Sequence, residues 1–86
     1  VRIAGIAPNP SADAVAITLE LIEKGTSELL IVNGLGQIVR RYEFVIDKEF
    51  GKRTVEIDLE GIPSGRYTAV LITPTEVDRK PMLIVK

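Results

Sequence analysis

Arg53-Thr54-Val55-Glu56-Ile57-Asp58-Leu59 alternates polar and apolar side chains without a break. Successive side chains of an extended chain point to opposite faces. Val55, Ile57 and Leu59 therefore share one face, and Thr54, Glu56 and Asp58 the other. This is the pattern of a strand with one side on a core and one in water. The same period returns upstream in Ala14–Ile22, where Val15, Ile17, Leu19 and Leu21 alternate with Ala16, Thr18, Glu20 and Ile22. The Ala and Glu content of that region leaves a helix over 11–24 as the alternative. Ser27–Asn33 is different, because Leu29-Leu30-Ile31-Val32 is apolar on both faces and predicts a central strand.

Arg2–Ile6, Gln37–Ile46, Arg66–Thr73 and Arg79–Lys86 complete the set of extended segments. Their separators carry turn chemistry. Ala7-Pro8-Asn9-Pro10-Ser11 is held extended or turned by its two prolines. Lys24-Gly25-Thr26 is a turn. Asn33-Gly34-Leu35-Gly36 contains an Asn-Gly pair suited to a type I′ hairpin turn. Asp47–Lys52 is a polar loop with Gly51, and Glu60–Gly65 and Pro74–Asp78 are the remaining connections. Gln37–Ile46 leaves the core partway, as Arg40 and Arg41 indicate. Pro81 lacks an N–H, so its segment belongs at a sheet edge. At least one of Gly36 and Gly65 is expected at positive φ. The pattern predicts an all-β fold, a seven-stranded antiparallel sandwich of immunoglobulin/fibronectin-like type. Its predicted core is Val15, Ile17, Leu19, Ile31, Val55, Ile57, Leu59, Ala69 and Leu71. Met82-Leu83-Ile84-Val85-Lys86 reads as an apolar strand reaching the chain end, where a receptor has access to it.

The 86 residues are expected to form one domain, 1–86. Eleven basic and twelve acidic residues leave a net charge of −1 with no basic stripe, so nucleic acid is not an expected partner. The chain has no His and no Cys, which removes Ser-His-Asp triads, Cys-His dyads and the usual zinc sites. No apolar run approaches the roughly 20 residues that span a bilayer. The sequence starts at Val, and it reads as an excised piece of a longer precursor, so the lack of a signal peptide says nothing about export.

The remaining candidates for chemistry are thin. Glu56 and Asp58 share a face, but two carboxylates on a strand are more simply a solvated surface. Gly34-Leu35-Gly36 precedes no helix and is hairpin geometry, not a dinucleotide fingerprint. Asp13, Asp47, Glu49 and Asp78 supply loop oxygens without the spacing of a calcium site. Tyr67 suits a corner, a sugar-stacking platform or the core with its hydroxyl at the rim. No catalytic residue, metal ligand or cofactor is expected.

Four stretches recur in a telling order: Ile6-Ala7-Pro8-Asn9-Pro10, Ile31–Val39 around Gly36, Ile57–Tyr67 with Ile62, Gly65 and Tyr67, and Met82–Lys86. This order resembles the type A C-terminal sorting domain of the type IX secretion system, found on exported proteins of Bacteroidetes. Pro8, Asn9 and Pro10 match its Pro-Asn-Pro opening and Gly36 its middle glycine. Ile62, Gly65 and Tyr67 match its Leu-x-x-Gly-x-Tyr step, with Ile for Leu. Gln37 stands where the family usually has Arg. The resemblance implies a non-catalytic address with Pro8, Asn9, Pro10, Gly36, Gly65, Tyr67, Met82, Leu83, Ile84, Val85 and Lys86 as recognition residues. The implied partners are an outer-membrane translocon, a sortase-like peptidase and an upstream cargo domain in the same precursor. The implied route runs through the periplasm to the cell surface or medium. The alternative is a fibronectin-like spacer or binding module of an extracellular bacterial enzyme.

Overall fold

Val15, Ile17, Leu19 and Leu21 all point inward from β2 (Ala14–Leu21), and each is at most 5% exposed. Their strand pairs antiparallel with β1 (Arg2–Ala7) on one side and β5 (Gly51–Asp58) on the other. The helix alternative over 11–24 therefore fails: apolar residues at every second position, Val15 and Ile17 among them β-branched, fit a pleated face that two neighbours can extend. The second sheet is ordered β4-β3-β6-β7, from β3 (Gly25–Asn33), β4 (Ile38–Ile46), β6 (Gly65–Ile72) and β7 (Val77–Ile84). The computed structural model describes residues 1–47 and 51–86. Among them are seven strands, all paired antiparallel, and no helix. β4 joins the sheet of β3, β6 and β7, not that of β1, β2 and β5.

One hydrophobic cluster draws on both sheets, with Ile3, Ile17, Leu19 and Ile57 from the first and Leu29, Ile31, Leu71 and Ile84 from the second. Eight of the nine predicted core residues are buried. Val55 is half-buried and packs against the cluster from the edge strand β5, where no further strand covers it. β3 is central, as its two-sided apolar run requires, and Pro81 lies on the edge strand β7.

Several boundaries differ from expectation. β7 begins at Val77 and ends at Ile84, so Val85 and Lys86 lie beyond the strand. Gly51 and Lys52 belong to β5, and Lys48, Glu49 and Phe50 of the expected polar loop lie outside the described residues. Gly25 already belongs to β3. The β3–β4 turn is not type I′, since neither Asn33 nor Gly34 has positive φ. Gly36 carries the left-handed conformation instead, at φ 83°, and its N–H bonds to Asn33 O at 3.0 Å. The Asn33 carboxamide oxygen accepts from the N–H groups of Leu35 and Gln37, both at 2.9 Å. A short polar side chain thus organises the loop, and the glycine closes it as a bulge. Gly65 also has positive φ, at 158°, so the expectation for the two glycines holds at both.

Arg40 does not leave the core side of β4. It reaches across the sandwich flank, donating from Nε to Asp58 O at 3.0 Å and from Nη2 to Glu60 O at 2.7 Å. The opposite flank brings β1 beside β7, where the Ile3 N–H donates to Asp78 Oδ2 at 2.7 Å.

Candidate functional site

The proline-rich segment after β1 runs along the free edge of β7. Both of its X–Pro bonds, Ala7–Pro8 and Asn9–Pro10, are cis. Ser11 is 1% exposed and forms a parallel bridge with Ile84. Its N–H donates to Leu83 O at 2.8 Å, and its carbonyl accepts from the Val85 N–H at 2.7 Å. The Asn9 carboxamide oxygen accepts from the Leu83 N–H at 3.1 Å. The Ser11 hydroxyl turns back onto Pro8 O. Every outward backbone group from Leu83 N to Val85 N is therefore occupied by residues 9–11.

Residues past β7 are also held. The Lys86 N–H donates to Ser64 Oγ at 2.9 Å and its Nζ to Leu59 O at 2.6 Å. With Arg40 on Asp58 O and Glu60 O, three successive carbonyls between β5 and β6 each accept from a cationic side chain. Charge-assisted bonds of this kind are among the stronger ones available to a small domain. A few residues on, the Tyr67 hydroxyl donates to Pro63 O at 2.7 Å, while its ring is buried. This is a tyrosine corner at the entry to β6, and it removes the ring from the surface that sugar stacking needs.

Three of the four sequence stretches meet here. Gly65 pairs with Ile84 and Tyr67 with Met82 across β6 and β7, and Asn9 lies against Leu83. Asn9, Arg66, Tyr67, Pro81, Met82 and Leu83 line one shallow groove. Of the candidate residues, Tyr67, Met82 and Ile84 are buried and Gly65 is half-buried, so they act on packing. Pro8, Asn9, Pro10, Leu83, Val85 and Lys86 are exposed. Gly36 is exposed at the hairpin tip and does not line the groove. Sequence reasoning missed Ser11 and Ser64, whose roles as tethers depend on which strand end arrives beside them.

No nucleophile–base pair lines the groove, and no cluster of three or more metal-ligating side chains exists among the described residues. Of the loop acids weighed for calcium, Asp78 is committed to the Ile3 N–H, and Glu49 lies outside the described residues.

The profile of the secretion system C-terminal sorting domain family matches residues 5–86, nearly the whole chain. The chain belongs to this family. As a type IX sorting domain it is part of a cargo precursor that is exported and that engages the secretion machinery. The match begins at Gly5, in β1, and takes in the tyrosine corner, β7 itself and residues 9–11, which clasp the end of β7. No curated protein matches the chain.

Proposed function

We propose that residues 1–86 act as one folded address, with no catalysis of their own. The domain directs an upstream cargo from the periplasm through the outer membrane by way of the type IX translocon. A sortase-like peptidase then removes the domain, and the cargo stays on the surface or is released. The observation that carries this reading is the family match over residues 5–86. The geometry supports it in one respect. The exposed candidates Pro8, Asn9, Pro10, Leu83, Val85 and Lys86 converge on one end of the second sheet, so a receptor meets them as a single surface.

The test is a reporter fused to the intact domain in a host that carries the secretion system, compared with the reporter alone. The reading expects surface reporter only with the domain attached. Equal delivery with and without it rejects the sorting role and leaves a spacer. Deleting Met82–Lys86 is a poor substitute, because Met82 and Ile84 are 3% and 0% exposed and their loss empties part of the core.

A further inference from the structure

An edge strand normally invites a partner strand, because its outward N–H and C=O groups are unpaired. β7 is such an edge, yet its terminal half is closed. The outward groups of Leu83 are taken by Asn9 and Ser11, and the Val85 N–H by Ser11. Two residues earlier, Pro81 has no N–H to offer.

The face of the strand is open instead. Alternation places Arg66, Thr68, Val70 and Ile72 of β6 and Val77, Arg79, Pro81 and Leu83 of β7 on the outer side, with Arg66 beside Leu83 and Thr68 beside Pro81. Leu83 is 38% and Val77 49% exposed. None of these eight positions is acidic. The arginines of the chain divide accordingly. Arg2 is paired with Glu20, Arg41 with Glu28 and Glu43, Arg40 binds carbonyls, and Arg53 lies over the Phe44 ring. Of the six arginines, only Arg66 and Arg79 have a guanidinium group with no hydrogen bond, ion pair or ring contact among the described residues. Arg66 also lines the groove with Pro81 and Leu83. A planar cation at the rim of an apolar groove is complementary to a carboxylate on an apolar segment.

We infer that the secretion machinery reads this domain by its face and not by strand addition: an apolar protein segment bearing a carboxylate seats over Pro81 and Leu83 and pairs with Arg66. The inference rests on the sorting role proposed above, and its test separates the two.

Reporter fusions carrying the intact domain, Arg66→Glu, Arg66→Lys, Leu83→Asp or Lys52→Glu are expressed in a host with the secretion system. Surface and periplasmic reporter are measured, and each purified fusion is melted. Arg66→Glu and Leu83→Asp are expected to lower surface reporter by at least about tenfold, with the reporter held in the periplasm. Arg66→Lys is expected to keep most of the delivery, and Lys52→Glu, an equal charge change on β5, to stay within about twofold. Melting of Arg66→Glu should match the intact domain, since the side chain is exposed and unpartnered. If it does not, Arg66→Gln removes the charge without adding another and serves in its place. Delivery of folded Arg66→Glu or Arg66→Gln at the intact level overturns the inference while the intact fusion still upholds the sorting role. Surface delivery of reporter lacking the domain overturns both. Self-association of the intact domain that Arg66→Glu abolishes, or Arg66-dependent binding to phosphatidylglycerol vesicles, assigns the face to a second copy or a lipid and overturns it as well.

Discussion

Gly25 shows how one residue can be decided by a distant loop. Its φ is 133°, and a Cβ built there lies 2.7 Å from Cγ of Pro74. Backbone preference and close packing both demand glycine at this position. Gly25→Ala should therefore lower stability by about 1–3 kcal/mol through strain and overpacking. In a domain of this size that is a fall in Tm of at least about 4–8 °C, read by thermal melting. An unchanged Tm would show that the Pro74 loop yields freely. Two residues on, Ser27 is 1% exposed and its Oγ has no partner among the described residues. An unpaired buried hydroxyl costs stability that a methyl does not. Ser27→Ala should stabilise by about 1 kcal/mol, and a lower Tm for this variant would mean that the hydroxyl is satisfied after all.

At the scale of elements, the clasp on β7 is the feature that alternation does not reveal. The Leu83 N–H depends on the Asn9 side chain, whereas the Val85 N–H depends on the backbone of Ser11. These two supports can be separated. Asn9→Ala should speed amide exchange at Leu83 roughly fivefold, the effect of losing a bond worth about 1 kcal/mol, and leave Val85 protected. Equal acceleration at both amides would mean that the segment around Asn9 releases as a unit. Just beyond β7, Lys86→Glu would be more than a surface charge change. Its Nζ donates to Leu59 O, and a carboxylate cannot.

Over the whole molecule, the connections β2–β3 and β6–β7 are held together by Glu23. Its carboxylate accepts from the hydroxyls of Thr73 and Thr75, the latter at 2.7 Å, and from the Thr75 N–H at 3.3 Å. The Thr73 bond, then the Thr75 bond, hold the Glu23 carboxyl below the ordinary glutamate range. Glu20 is likewise held low, first by its hydrogen bond from Arg2. A carboxylate with a depressed folded pKa contributes stability that is present above its unfolded value, about 4.3, and is lost as pH falls through the folded value. The domain should therefore lose stability progressively below about pH 4. Glu23→Gln should be less stable than the intact domain at neutral pH and show a shallower loss on acidification. Parallel stability–pH curves for the two proteins would reject this role of Glu23.

Alternation was enough to identify β2 and β5, and a two-sided apolar run was enough to place β3 centrally, because burial of a pleated face is local information repeated every second residue. Pro81 marked its own strand as an edge for an equally local reason, its missing N–H. The order of Pro8-Asn9-Pro10, Gly65, Tyr67 and the last apolar segment also pointed to the family. What alternation could not supply was the company these residues keep. Ser11 reads as a loop polar residue, yet it is buried, because the end of β7 arrives beside it. Arg40 looked like a departure from the core and instead spans to Asp58 and Glu60. The Asn33 turn took its form from side-chain bonds to Leu35 and Gln37, not from the Asn-Gly pair. Local periodicity determines which face of a strand is wet. Only the packing of two sheets decides which backbone groups at their edges remain free, and hence which face of β7 is left open.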